Sequence, residues 1–129
     1  MDISIWCVFA AFLLIYMTRL PVVLATHRQE GYVELANPRE QQARLKGVGS
    51  RAQAAHQNTI EAFAPFAAAI WTAYYGGADP AIRDALAMTF VAARMLYVAA
   101  YLADLNPWRT LIWTVGMLCV VGLFLAPLY

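Results

Sequence analysis

Residues 108–129 read WRTLIWTVGMLCVVGLFLAPLY, a run whose single charge, Arg109, stands at its beginning. Crossing a hydrocarbon core of about 30 Å takes about 20 apolar residues at ~1.5 Å each, so this run alone is long enough to span a membrane. Working back toward the amino terminus, the same criterion picks out residues 81–105 and 3–25. Residues 57–76 are apolar only from Ala62 onward, and a full crossing there draws Asn58 and Glu61 below the membrane surface. The chain of 129 residues is 62% hydrophobic and 13% charged, far from the balance of a soluble domain. The expectation is therefore one all-α membrane domain over 1–129, a four-helix bundle with spans at about 3–25, 57–76, 81–105 and 108–128.

The connections are legible in their turn residues. Gly76-Gly77-Ala78-Asp79-Pro80 predicts a tight turn with Pro80 and Asp84 opening the third helix, and Asn106-Pro107 predicts the next turn. The polar stretch 26–53 is expected to be the one long loop, with Pro38 at a helix start and Gly47 and Gly49 breaking the run that follows. Arg28, Arg39, Arg44, Lys46, Arg51 and Arg109 fall on one side of the bundle and Arg83 on the other, which predicts a cytoplasmic first loop and both termini outside. The opening MDISIW lacks the basic start of a secretory signal, so the first span reads as a retained anchor.

Several functions are excluded by composition. A net charge of +1, with Glu30, Glu34 and Glu40 interleaved among the loop bases, is no footprint for nucleic acid. Cys7 and Cys119 sit inside apolar runs without metal or disulfide spacing, and His27 and His56 have no acidic or cysteine companion at ligand distance, so no metal is expected. Arg19 lies close enough to the polar stretch for its guanidinium to snorkel to the interface.

Glu61 and Arg94 are a different matter, because an ionised group inside a span costs several kcal/mol unless it faces a partner or a wet cavity. On the second helix Arg51, Asn58 and Glu61 share one stripe at spacings of seven and three. On the third, Arg94, Tyr97, Tyr101 and Asp104 do so at three, four and three. Two such stripes on adjacent antiparallel helices predict a Glu61–Arg94 pair, with tyrosine hydroxyls completing its hydrogen bonds. A structural salt bridge would explain that pair, but not the further convergence of Asn58, Arg51 and Arg109 toward the same end. An anionic ligand would.

The order Arg51-Ala-Gln-Ala-Ala-His56-Gln57-Asn58-Thr-Ile-Glu61, then Arg94-Met-Leu-Tyr97-Val-Ala-Ala-Tyr101, then Arg109, resembles bacterial-type members of the MAPEG family, the membrane-associated proteins of eicosanoid and glutathione metabolism. The resemblance covers essentially the whole chain. It implies a homotrimer in the bacterial inner membrane with glutathione bound between neighbouring subunits. It further implies that Arg51, Asn58, Glu61, Arg94, Tyr97 and Tyr101, with Arg28 near the end of the first helix, form or support the pocket. Arg109 would activate the thiol for attack on a hydrophobic electrophile or peroxide from the lipid. The chain departs from the pattern at Ala54 and Gln57, where better-studied members carry arginine, and at Tyr97, where some carry histidine. The two lost arginines weaken the expected grip on the carboxylates of glutathione. Two functions follow: a glutathione-dependent transferase or peroxidase, or a non-catalytic member of the same fold that binds lipid or a membrane partner.

Overall fold

The structure, a computed structural model, describes residues 2–129 and is all-helical over them. Helices α1 (Ile3–Met17) and α2 (Arg19–Glu30) follow one another with only Thr18 between them, succeeded by the short α3 (Pro38–Ala43), α4 (Val48–Tyr75), α5 (Pro80–Leu102), α6 (Trp108–Leu125) and a 3-10 turn over Ala126–Leu128. The runs Ile3–Glu30, Pro80–Leu102 and Trp108–Leu128 are each long and apolar enough to cross a membrane. α4 has the length, but Arg51, Gln53, Gln57, Asn58 and Glu61 make its first half polar.

The α1–α2 break follows from Pro21, which has no N–H to offer the carbonyl four positions back, at Met17. At the break the Thr18 hydroxyl donates to the Ile15 carbonyl at 2.9 Å and meets His56 Nδ1 at 3.0 Å. The hydroxyl thereby bridges the Ile15 carbonyl on its own helix and the His56 ring on α4. His56 thus ties α4 to the junction of the first two helices.

α4 and α5 form an antiparallel hairpin about the turn at 76–79. Asp79 caps α5, its Oδ1 accepting from the Ala81 and Ile82 amides at 2.9 and 3.2 Å, with Pro80 in the first turn. Small residues let the helices approach closely: Ala62, Ala69 and Ala73 on α4, and Ala87 on α5. Between them Phe66 and Phe90 stack at 4.0 Å between centroids, both fully buried. α6 lies along α5, α1 packs on α4 and α5, and α2 packs on α4. Both cysteines are free and belong to this core.

The expected long loop at 26–53 is largely structured. α2 continues to Glu30 and closes on Gly31 at φ +79°, the left-handed cap that glycine adopts without strain. Gln41 is buried and donates from Nε2 to Glu30 and to the Tyr32 carbonyl, while Arg44 grips the Glu30 carboxylate with two bonds of 2.9 and 3.0 Å. Pro38 opens α3 and Gly47, at φ +58°, precedes α4, as the sequence indicates. Gly49 does not break the chain. It lies inside α4, where a Cβ would stand 3.1 Å from Ala25 and Leu45, so its role is close packing of α2 on α4. α5 stops at Leu102 rather than 105 because Asp104 turns to φ 56°.

Candidate functional site

On α4 the positions Thr59, Ala62, Phe66, Ala69 and Ala73, spaced three and four apart, form the buried stripe. Thr59 passes its own proton to the Ala55 carbonyl at 2.8 Å and so presents a lone pair to α5. Arg94 takes it: Nη2 donates to Thr59 Oγ1 at 3.3 Å. Arg94 is 2% exposed, its carbon centre stands 4.4 Å over the Tyr97 ring, and its Nε and Nη1 hydrogens have no acceptor. A void of about 10 Å³ beside it, lined by Ala11, Leu14, Thr59, Ala62, Phe63 and Phe90, is at the lower limit for one water.

From Arg94 the site continues toward the end of α5. Tyr97 and Tyr101 meet edge to face at 5.6 Å, and Arg109, at the start of α6, lies 4.3 Å over the Tyr101 ring. The spacings of three and four predicted this shared face for Arg94, Tyr97 and Tyr101, whereas Asp104, expected on the same stripe, falls beyond the end of α5 and is exposed. The rings, not the hydroxyls, receive the guanidinium groups, so each phenol oxygen stays free for another partner.

The expected Glu61–Arg94 pair is not formed. Ion pairs among the described residues are Arg44–Glu30 and Arg83 with Asp2 and Asp84. The reason is angular: Glu61 follows Thr59 by two positions, about 200° around the helix at 3.6 residues per turn, and therefore faces away from α5. Its carboxylate is exposed and accepts from Gln57 Nε2 at 3.3 Å. Asn58 Oδ1, Gln53 Oε1 and Arg51 Nε are sheltered without partners on neighbouring positions of the same helix. One chain therefore carries two separate polar stripes, Arg51–Asn58–Glu61 on α4 and Arg94–Tyr97–Tyr101–Arg109 on α5 and α6. Arg28 joins neither, since it lines another groove with Leu20, Leu24 and Leu102.

Thr59 escaped sequence reading, although its place in the stripe of Ala62 and Phe66 was a usable signal. So did the cluster at the opposite end of the bundle. There Arg83, buried, donates to Ser4 Oγ at 2.9 Å and Asp2 Oδ2 at 2.7 Å, and Asp84 accepts from the Ser4 amide at 3.1 Å. These bonds pin the start of α1 to α5. Arg19 reaches toward the connection as expected: with the Gln42 amide turned so that its oxygen faces Arg19, that oxygen accepts from Nη1 and Nη2 at 2.8 and 2.9 Å.

Long apolar helices enclosing a buried arginine and a guanidinium–aromatic ladder define an integral membrane protein with a polar site inside its bundle. The sequence matches the MAPEG family over residues 3–129, and the chain belongs to that family. No curated protein matches it.

Proposed function

We propose that the protein is a homotrimeric membrane enzyme that conjugates hydrophobic electrophiles with glutathione or uses glutathione to reduce hydrophobic peroxides. The observation that carries this reading is Arg94, desolvated, short of acceptors for two of its nitrogens, and linked through Tyr97 and Tyr101 to Arg109. A buried guanidinium without an anion is costly, and an arriving carboxylate repays that cost through charge-assisted hydrogen bonds. Family members are typically membrane-embedded trimers that use glutathione, and that tripeptide brings two carboxylates and a nucleophilic thiol.

Within the reading, Arg94, Arg51 and Asn58 hold the polar ends of the tripeptide and the Tyr97 and Tyr101 hydroxyls orient it. Arg109 holds a sulfur in its thiolate form, and a displacement of two pKa units there needs only about 2.7 kcal/mol. Glu61 supports the trimer. Counting about 20 residues back from Tyr75 puts the hydrocarbon boundary near His56 and the exposed Glu61 carboxylate about 8 Å inside it, a position that a neighbouring copy must cover.

The test is ultraviolet thiolate absorbance and conjugation of a chlorinated nitroaromatic by the purified protein with glutathione. Wild type should show both, and Arg109→Ala should lose both while the oligomer keeps its mass. Wild type with neither would end the enzyme reading. It would leave the non-catalytic alternative, which Ala54, Gln57 and the unmade Glu61–Arg94 pair favour. Under that alternative the oligomer forms and no glutathione binds.

A further inference from the structure

We infer that the groove at the loop end of α2 is a binding site for one anionic phospholipid, its phosphate held between Arg28 and Lys46 and an acyl chain lying along Leu20, Leu24 and Leu102. The groove measures about 590 Å³ and is formed where α2, the start of α4 and the end of α5 meet. Its two cations are Arg28 and Lys46, and neither guanidinium nor ammonium group takes part in an ion pair or hydrogen bond among the described residues. Everything deeper along α2 in its lining is apolar.

The backbone that carries these cations is fixed. Gln29 donates from Nε2 to the Arg44 carbonyl at 2.9 Å, and its Oε1 accepts from the Lys46 amide at 3.0 Å. Lys46 is thereby clamped against the turn of α2 that bears Arg28. Gly49 closes the floor by letting Ala25 approach α4.

Depth agrees with the assignment. Arg28 follows Ile3 by 25 positions, about 37 Å along the helical run, and so stands beyond a hydrocarbon core of about 30 Å, at headgroup level. Cations at headgroup level beside an apolar channel match an anionic amphiphile in charge and in polarity. No residue of this groove belongs to the Arg94–Arg109 ladder, and of its residues Arg28 alone figures in the pocket that the resemblance implies.

Native mass spectrometry of the detergent-released protein, titrated with phosphatidylglycerol, phosphatidylcholine or glycerol phosphate, tests it. Wild type should retain phosphatidylglycerol in preference to phosphatidylcholine and should not retain glycerol phosphate. Arg28→Gln with Lys46→Gln should weaken retention about thirtyfold, the loss of two basic contacts to an anionic headgroup. Leu20→Trp with Leu24→Trp, which fills the channel and keeps both charges, should weaken it too. Equal retention of phosphatidylcholine, retention of glycerol phosphate, or unchanged phosphatidylglycerol binding by either variant overturns the proposal. So does loss of oligomer mass in the charge variant with lipid retention intact, which would make the groove an interface between copies.

Discussion

Arg94 holds its charge among helices with one polar contact, the Thr59 hydroxyl, and one aromatic face. Such an arrangement is poor value for folding and useful for binding, and the two can be separated by substitution. Arg94→Met, similar in length and apolar, should leave the thermal midpoint in detergent unchanged or raised, because the desolvation cost disappears with the charge. Glutathione binding by the same variant should fall about tenfold to a hundredfold, the worth of hydrogen bonds to a charged group. Calorimetry of binding beside thermal unfolding reads both. At Tyr101 the contact with Arg109 is to the ring. Tyr101→Leu should therefore lose about 0.5–2 kcal/mol of Arg109 positioning, visible as a lower thiolate fraction. Tyr101→Phe keeps that contact and should keep the thiolate, while showing in KM what the hydroxyl itself contributes.

Among the elements, the α4–α5 hairpin bears the most on the site, because its register sets Thr59 opposite Arg94. Phe66 and Phe90 hold that register, and Phe66→Ala should cost about 3–5 kcal/mol in an unfolding titration, the range for an aromatic lost from a closed core. The turn is equally constrained. A Cβ at Gly76 would lie 2.6 Å from Pro127 Cγ and 2.7 Å from the Thr72 carbonyl oxygen, which as backbone cannot swing aside. Gly76→Ala should destabilise by about 1–3 kcal/mol and should do so less in Gly76→Ala/Pro127→Ala, where the proline clash is gone.

For the whole molecule, the exposed Glu61 is the most informative feature. Its carboxylate lies on the outer surface of one chain, and under the proposed trimer a neighbouring copy covers it. Native mass measurement should give about three times the 14.3 kDa of one chain. A monomer that conjugates glutathione in detergent would refute the placement of the site between copies, and Glu61→Gln should lower the temperature at which the oligomer dissociates.

Length, hydropathy and turn chemistry by themselves determined that this chain is a helical membrane protein, where Asp79 and Pro80 begin a helix, and that Arg94, Tyr97 and Tyr101 share one face. Each of these follows from local periodicity or from a residue's own backbone limits, which need no knowledge of neighbours. The partner of Arg94, the structured course of residues 26–53, the close-packing role of Gly49, and the separation of Arg28 and Glu61 from the ladder were decided only in three dimensions. Two polar stripes on adjacent helices can meet or diverge according to how each helix is rotated about its axis. That rotation is set by burial of Phe66, Phe90 and the alanines around them, so the packing of the core, not the attraction of opposite charges, chose the neighbours of each ionisable group.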